Sequence, residues 1–478
     1  MRYEKVLLIC PPSLRGKIRL SHFPHVGLGY IAEALIKSGV HVSVLDMNAG
    51  YRFNDLQYRI REFSPTLIGF TGMTLGYNHF YRMINKIKSL YPQINIIVGG
   101  AHCSSVREQF LQECQGVDYG IIFEGDKTIV QLCCGEELEK IQGFIYRING
   151  EVVSNQFKNF IRDLDSLSFP RYESFELGKY PSKSIAIVTS RGCPYDCIYC
   201  SVGASAGKEF RARSAEDVVN EIEYWYNRGY REIFILDDNF TFVRKRVEKI
   251  CELLLKMDFK GLSLKNPVGL RADRVDRELL KKLKHAGFDL IAFGVESASN
   301  RILDNIKKGE TIFSIEQAVK NACELGFDVD LFFLIGSPGE TMQDLQKSFL
   351  LAKKYLIRRA DFYNLVPFPS TELLDMLVEK RYLVYSLNEI FNDISYYQNK
   401  PCFYTPEMSI IERRKAFNLG KKISIEVQKR FMEGKIRAPL ILKRIIVAIS
   451  TAPLIEKVTV NSRWMLRLRR LLKRFLFR

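Results

Sequence analysis

Short apolar runs alternate with amphipathic segments through the first 135 residues of this 478-residue chain. Runs rich in β-branched residues predict buried strands, and apolar residues at helical spacing predict helices between them. The predicted strands are Val6–Cys10, His41–Asp46, Thr66–Thr71, Asn95–Val98 and Val117–Phe123. The predicted helices are Gly27–Ser38, Asp55–Phe63, Asn78–Tyr91, Ser105–Cys114 and Asp126–Cys134. This alternation predicts a parallel sheet with right-handed crossovers, as in a Rossmann-like domain.

The ends of these predicted strands carry small or polar residues. They are Pro11-Pro12, Asp46, Thr71-Gly72, Gly99-Gly100 and Glu124-Gly125. In an open α/β sheet the carboxyl ends of the strands form the ligand crevice, and glycine lets backbone approach a ligand closely. Glycine-rich turns occur in any such fold, so this pattern alone predicts a ligand of unspecified chemistry.

The pattern changes after residue 135. Ile145–Ile148 and Val152-Val153 flank Asn149-Gly150, which predicts a β-hairpin. The polar stretch Asn159–Ser182 predicts a linker. A second strand–helix alternation follows, with predicted strands Ser184–Thr189, Glu232–Leu236, Ser263–Val268, Leu290–Val295, Asp328–Ile335 and Phe362–Val366. Because six βα units fall short of a closed eightfold barrel, we expect a partial (β/α)6 TIM barrel.

These patterns predict an α/β protein with four segments. They are an N-terminal domain at 1–135, a hairpin and linker at 136–182, a barrel core at 183–400 and a helical, basic C-terminal region at 401–478.

The strongest chemical signal is the stretch Arg191-Gly192-Cys193-Pro194-Tyr195-Asp196-Cys197-Ile198-Tyr199-Cys200. Its three cysteines follow a predicted strand and are separated by three and two residues. Iron–sulfur clusters are held by cysteine thiolates at such spacings, usually four of them. Three ligands leave one iron open, as a catalytic metal keeps an open position. A zinc site, which would need a nearby histidine, and three buried free cysteines are the alternatives; we predict a [4Fe–4S] cluster on Cys193, Cys197 and Cys200.

The cysteine stretch resembles the CxxxCxΦC signature of the radical S-adenosylmethionine (SAM) superfamily, with Tyr199 as the aromatic residue. Asp237–Phe240, Gly269–Asp273, Gly294–Ser297 and Leu334–Glu340 end later predicted strands, as in that fold. The resemblance covers roughly residues 180–400 and implies that SAM binds the open iron. The residues that it assigns to SAM are Tyr199, Asp238, Arg271, Glu296, Gly336 and Pro338.

Residues 1–135 resemble the cobalamin-binding domain that precedes the radical SAM core in one large branch. The matching stretches are Val26–Ala32, Val98–His102 and Phe123–Asp126; the last resembles Gly-Glu-Gly-Glu, with Phe123 and Asp126 as departures. The resemblance assigns Gly72, Gly99, Gly100, Glu124 and Gly125 to cobalamin. The chain lacks Asp-x-His-x-x-Gly, which supplies a histidine to cobalt in other cobalamin proteins, so we expect no histidine ligand. The alternative is a vestigial domain that no longer binds cobalamin.

The resemblance implies reductive cleavage of SAM to a 5′-deoxyadenosyl radical that abstracts hydrogen from an unactivated carbon. With cobalamin, the expected reaction is methylation of a small-molecule or lipid substrate, with electrons from a flavodoxin- or ferredoxin-type donor. No catalytic residue is predicted. The alternative is a radical SAM cyclase, or another C–C bond-forming enzyme of pigment, lipid or natural-product biosynthesis. A methylthiotransferase is less favoured, because Cys10, Cys103, Cys114, Cys133 and Cys134 do not form a second compact triplet.

Charge adds one further feature. The net charge is +17, and +10 of it lies in Phe431–Arg478. A nucleic-acid-binding protein would interleave basic residues with exposed aromatics along a binding face. Here the excess positive charge instead gathers in one terminal helix, so we expect no nucleic-acid partner. A cobalamin carrier or sensor would leave the cysteine triplet unexplained.

The C-terminal segment from residue 461 predicts an amphipathic helix. Its apolar stripe is Trp464, Met465, Leu468, Leu471, Leu472, Phe475 and Leu476, and its basic face is Arg463, Arg467, Arg470, Arg474 and Arg478. Such a helix lies on a lipid surface or docks on the protein's own core. We expect no secretory signal, because the first apolar run, Val6–Cys10, is shorter than a signal requires, and no apolar run approaches the roughly 18 residues of a spanning helix. We expect a cytoplasmic protein, with peripheral attachment to the inner membrane face as a further expectation.

Overall fold

The computed structural model describes residues 1–12 and 21–436, which contain two mainly parallel sheets. The first sheet has seven strands in the order β2-β1-β3-β4-β5-β6-β7. Its strands are β1 (Lys5–Cys10), β2 (His41–Asp46), β3 (Leu67–Thr71), β4 (Asn95–Gly99), β5 (Tyr119–Ile121), β6 (Phe144–Ile148) and β7 (Glu151–Ser154). Strands β1 to β5 pair in parallel, which confirms the Rossmann-like prediction.

The predicted hairpin joins this sheet, because β6 pairs antiparallel with β5 and with β7. The helices of this half are α1 (Val26–Lys37), α2 (Phe53–Phe63), α3 (Tyr77–Leu90), α4 (Ala101–Val106), α5 (Glu108–Glu113) and α6 (Thr128–Cys134). One prediction was wrong in detail: the helix expected at Ser105–Cys114 is two short helices. Arg107 separates them with a φ of +50°, a conformation that ends an α-helix.

The second sheet has six parallel strands in the order β15-β14-β13-β12-β11-β8. A two-stranded antiparallel ribbon, β9 with β10, lies beside it. The strands are β8 (Ser184–Ile187), β9 (Ser190–Arg191), β10 (Arg211–Ala212), β11 (Glu232–Ile235), β12 (Ser263–Leu270), β13 (Phe288–Glu296), β14 (Asp328–Ile335) and β15 (Arg359–Asn364). The barrel strands follow one another in chain order, which confirms the partial (β/α)6 barrel.

Most helices of this half cover the outside of the barrel or continue into the C-terminal region, whereas the four-residue helix Val202–Ser205 lies in the loop between β9 and β10. The helices are α7 (Val202–Ser205), α8 (Ala215–Asn227), α9 (Arg244–Met257), α10 (Arg277–His285), α11 (Asn300–Asn305), α12 (Ile312–Glu324), α13 (Met342–Lys354), α14 (Glu372–Glu379), α15 (Leu387–Asn392) and α16 (Ile410–Lys435). Alternate strand residues such as Ile185, Ile233 and Leu331 are buried in one apolar core with these helices. A one-sided apolar pattern of this kind is what the period-two geometry of strands produces.

The last barrel strand is Arg359–Asn364, so it starts three residues and ends two residues earlier than predicted. Its buried residues Ala360 and Phe362 alternate with the more accessible Arg359 and Asp361. These polar residues interrupt the apolar run from which the strand was predicted, so the predicted strand begins too late.

The amphipathic segment predicted from residue 461 lies outside the described residues. Among the helices that are described, none combines the length and apolarity that a bilayer span requires.

Candidate functional site

The three cysteines lie in a loop that the β9–β10 ribbon closes at its base. Arg191 lies opposite Arg211 in this ribbon, and the amide of Cys193 donates to the carbonyl of Gly207 at 3.2 Å. Gly192 has a φ of +82°, and a Cβ there would overlap the carbonyl of Glu209. Only glycine therefore fits directly before the first cysteine without a shift of the loop.

Cys193, Cys197 and Cys200 line one cavity of about 350 Å³, which we call the cysteine cavity. In the described part of the chain, no three His, Cys, Asp or Glu side chains lie close enough to hold a single metal ion. The cysteines therefore surround a space rather than a point. Three thiols around one cavity fit a polynuclear cluster, whose irons bind thiolates individually.

Burial raises the pKa values of the cysteine thiols, and nearby positive charges act in the opposite direction. Burial raises the pKa of Cys193. It also raises the pKa of Cys197, although the charges of Lys308 and Arg271 act in the opposite direction. These cations favour the thiolate form that a metal ligand must adopt.

Behind the loop lies a buried charged group made of Arg271, Glu296, Lys308 and Glu310. The Lys308 ammonium lies 3.1 Å from Glu296 and 3.4 Å from Glu310. Arg271 donates to the carbonyls of Lys308 at 2.7 Å and Gly309 at 3.0 Å. Glu310 accepts from the amide of Ala272 at 2.6 Å. The network joins the ends of β12 and β13 through the turn before α12.

Two tyrosines connect this network to the cysteine loop. The Arg271 guanidinium lies 3.6 Å from the ring centroid of Tyr195, a cation–π contact. Tyr199 feels the charge of Glu296: burial, followed by that charge, raises the pKa of Tyr199 well above its ordinary value. The structure thus brings three predicted SAM residues, Tyr199, Arg271 and Glu296, together beside the cysteines.

The end of β11 contributes two carboxylates with different surroundings. Asp237 is buried and accepts from the Thr189 amide at 2.6 Å and the Ser190 hydroxyl at 2.6 Å. Asp238 lines an open cavity, and burial, followed by the charge of Asp237, raises its pKa to about 6. Asp237 therefore fixes the strand end, whereas Asp238 faces the cavity, and its contact with SAM stays a prediction.

The turn after β14 holds the two remaining predicted SAM positions. Gly336 has a φ of +87°, and a Cβ there would overlap the guanidinium of Arg413. Glu340 accepts from the amides of Gly336 at 2.6 Å and Ser337 at 3.2 Å. The carbonyl of Pro338 accepts from Asn305 at 2.9 Å. These contacts give Gly336 and Pro338 packing roles in the turn, and their part in SAM binding stays a prediction.

Several buried polar atoms near the barrel mouth have no hydrogen-bond partner among the described residues. They belong to Asn239, Thr241, Asn266, Ser297, Ser337, Glu340 and Asn364. All but Asn266 lie at or just beyond the carboxyl ends of β11, β13, β14 and β15. Buried polar groups are nearly always satisfied by protein, water or ligand, so this region fits a polar ligand such as SAM.

A second cavity of about 370 Å³ lies between the two halves of the chain, and we call it the interdomain cavity. Gly99, Gly100, Glu124 and Gly125 line it from the first sheet, and Asp238 lines it from the barrel. Its wall is largely apolar and includes glycine backbone, which fits a large, flat, mostly apolar group such as a corrin. The residues predicted for cobalamin therefore lie beside a residue predicted for SAM.

Two of the cobalamin assignments acquire a different structural role. Gly72 does not line the interdomain cavity; its amide donates to the carbonyl of Gly99 at 2.8 Å, and a Cβ there would lie 2.9 Å from the Phe80 ring. Glu124 lines the cavity, but its carboxylate is bound by Arg191 at 3.0 Å and Arg211 at 2.5 Å. Cobalamin contacts from these two side chains stay predictions.

The histidines of this region are occupied by protein contacts. His102 is buried, its Nε2 lies 2.8 Å from the Tyr81 hydroxyl, and burial lowers its pKa to about 4. His25 lines the interdomain cavity, and its Nδ1 accepts from the Leu28 amide at 3.1 Å as the cap of α1.

Sequence reasoning missed Lys308, Glu310 and the pair Arg191 and Arg211. A charged run such as Lys307-Lys308-Gly309-Glu310 is typical of a solvent-exposed segment. Only tertiary packing reveals that Lys308 and Glu310 are buried and face the ends of β12 and β13. For Arg191 the sequence did offer one signal, which is its position directly before Gly192 and Cys193.

Comparison with known proteins agrees with this geometry. The family model described as the radical SAM superfamily matches residues 187–352, and the model described as the B12 binding domain matches residues 18–133. An uncharacterized methyltransferase of Pyrococcus horikoshii is 30% identical over 395 residues, which cover 80% of this chain and 85% of that protein. The anaerobic magnesium-protoporphyrin IX monomethyl ester cyclase of Rubrivivax gelatinosus is 27% identical over 79% of this chain and 70% of its own length.

Solved structures share the fold. The radical SAM methyltransferase TsrM of Kitasatospora setae, solved with tryptophan substrate and a SAM analogue, is 21% identical with a TM-score of 0.69, covering 79% of this chain and 76% of that one. A second TsrM structure, with cobalamin and a [4Fe–4S] cluster, has a TM-score of 0.71 at 18% identity and covers 89% of each chain.

Proposed function

The chain belongs to the cobalamin-dependent radical SAM methyltransferase family, and on that premise we propose that it methylates an unactivated carbon of a small-molecule or lipid substrate. Family membership gives it three cofactors: a [4Fe–4S] cluster, SAM and cobalamin. When bound, these supply a 5′-deoxyadenosyl radical and a transferable methyl group.

The observation that carries this proposal is the adjacency of the two cavities. Phe123 lines both of them, and so does the short helix α7, which directly follows Cys200. A group in the interdomain cavity would therefore lie one helix away from a cluster in the cysteine cavity. Methyl transfer needs both centres close to the same substrate carbon, because positioning supplies much of the rate.

The chain's own residues have distinct tasks in this proposal. Cys193, Cys197 and Cys200 hold the cluster. Arg271 and Glu296 present charge of both signs beside it, which suits the amine and carboxylate of SAM.

The experiment is anaerobic reconstitution with cluster, cobalamin and SAM labelled on its methyl group, incubated with a metabolite and lipid extract. We expect 5′-deoxyadenosine and a labelled methylated product by mass spectrometry. The Cys197→Ala variant should lose both products, and Cys323→Ala, which changes a cysteine on α12, should keep them. Formation of 5′-deoxyadenosine with no labelled product would contradict methyl transfer.

That last outcome favours the second candidate function, a radical cyclase without methyl transfer. The observation behind it is the similarity to the Rubrivivax magnesium-protoporphyrin cyclase over 79% of this chain. A product that carries no labelled methyl group, but has two hydrogens fewer than the substrate or a new C–C bond, would identify it.

Peripheral binding to an anionic membrane and electron delivery by a flavodoxin- or ferredoxin-type protein belong to the same proposal. The sequence from residue 461 supports the first, since each basic residue near an anionic surface contributes about 1 kcal/mol. Vesicles of anionic lipid should sediment the full chain but not a chain truncated before Asn461. Equal sedimentation of the two would end the membrane proposal.

A further inference from the structure

The turn between β5 and α6 carries two acidic residues that face the barrel half of the chain. Glu124 and Asp126 are nearly inaccessible, with side chains 8% and 5% exposed. Asp126 accepts two bonds from the Arg191 guanidinium, at 2.8 and 3.1 Å. Oε1 of Glu124 accepts from Arg191 at 3.0 Å and from Arg211 at 2.5 Å. Both glutamate oxygens are used, because Oε2 accepts from the Ile161 amide at 2.8 Å.

The two arginines lie at the base of the cysteine loop. They face each other across the β9–β10 ribbon, where like charges destabilise a strand pair. Glu124 lies between them, and with Asp126 the four charges sum to zero. Neutralised, well-bonded charges of this kind tolerate burial, whereas loss of one partner leaves an uncompensated charge.

Two aromatic rings complete the contact. The Arg191 guanidinium lies 4.9 Å from the Tyr30 ring centroid, and that of Arg211 lies 4.4 Å from the Phe160 ring centroid. Arg211 also donates to the carbonyls of Ile161 at 3.1 Å and Ala206 at 3.3 Å. The ends of the cysteine loop are thus fixed on the same turn that lines the interdomain cavity.

We propose that Glu124 and Asp126 are positioning residues that couple the two cofactor sites. They hold Arg191 and Arg211 and so set the cysteine loop against the interdomain cavity, an inference that rests on the proposed function. Binding in one cavity then biases the geometry at the other. Such coupling is reciprocal and typically amounts to about 5- to 150-fold in affinity.

The test compares Asp126→Asn with a matched control, Asp330→Asn. Asp330 is also a buried carboxylate between two arginines, Arg358 and Arg359, but it lies near the opposite, amino end of β14. Two properties are measured on each full chain: the cobalamin dissociation constant by absorbance titration, and the electron paramagnetic resonance (EPR) spectrum of the reduced cluster with and without cobalamin.

We expect cobalamin to alter the cluster spectrum of the wild-type chain. In D126N this change should disappear and cobalamin affinity should fall by roughly tenfold. D330N should keep both properties, even if its melting temperature falls as far. D126E, which retains the charge, should restore the spectral change.

The proposal is overturned if D126N keeps wild-type affinity and the cobalamin-dependent spectrum, or if D330N loses them equally. If D126N does not fold, R191K replaces it, because lysine keeps the positive charge but cannot bind both carboxylates as the guanidinium does. The same two properties are then measured, with the same expected and contradicting results. A wild-type chain that binds no cluster or no cobalamin refutes the proposed function itself and takes this inference with it.

Discussion

At the scale of single residues, Cys193, Cys197 and Cys200 carry the most specific prediction. Replacing all three by alanine should remove the iron, because the loop then offers no thiolate. Iron analysis should fall from about four atoms per chain to nearly none, while Cys323→Ala, on α12, retains its iron. Four irons retained in the triple variant would mean that the cluster lies elsewhere.

Glu340 should make stability depend on pH. Burial raises its pKa to about 8, whereas an unfolded glutamate titrates near pH 4.3. Between these values the folded state holds the extra proton, so the free energy of unfolding should fall as the pH rises from about 4.5 to 8. The slope is at most about 1.4 kcal/mol per pH unit. Denaturant titrations should show a flatter profile in Glu340→Gln; parallel profiles would contradict the assignment.

At the scale of elements, helix α16 closes the barrel through one inserted side chain. Arg413 is fully buried and donates to the carbonyls of Ile335 at 3.0 Å and Leu365 at 3.3 Å, at the ends of β14 and β15, and also to that of Phe403. The turn at Gly336 leaves room for its guanidinium. The polar end of a long amphipathic helix thus becomes part of the barrel mouth.

Gly336→Ala should therefore destabilise the protein by about 3 kcal/mol or more, from left-handed strain and loss of Arg413 hydrogen bonds. Gly326→Ala is the matched control, because Gly326 has a φ of +76° and no atom within 4 Å of the added Cβ. It should cost only the strain, about 1–2 kcal/mol. Chemical denaturation measures both, and equal losses would show that Arg413 tolerates the methyl group.

At the scale of the whole molecule, the interdomain cavity should bind cobalamin without a histidine on cobalt. The His25 and His102 rings already have protein partners. The EPR spectrum of bound cob(II)alamin should lack nitrogen splitting from the protein and should not change in His25→Ala. A histidine-type splitting that disappears in that variant would overturn this prediction.

The sequence alone predicted much of the fold, for reasons visible in particular residues. Apolar runs such as Val6–Cys10 fixed the strands, because a buried parallel strand needs a continuous apolar segment. Where the pattern is mixed, the predicted bounds were wrong. Arg107 divides a predicted helix into two, and the polar residues Arg359 and Asp361 interrupt the apolar pattern at the start of β15. The backbone conformation of Arg107 and the ion pairs of Arg359 depend on the tertiary structure, which the local pattern does not reveal.

For the site, the spacing of Cys193, Cys197 and Cys200 was sufficient to predict the cluster, since local spacing sets where three thiols can converge. Sequence pattern also identified the family, and the comparisons confirmed it. Only the tertiary structure decided that Glu124 and Asp126 bind arginines, and that Lys308 is buried between two glutamates. The physical reason is that a charged side chain looks the same in sequence whether water or an opposite charge compensates it, and burial alone distinguishes the two.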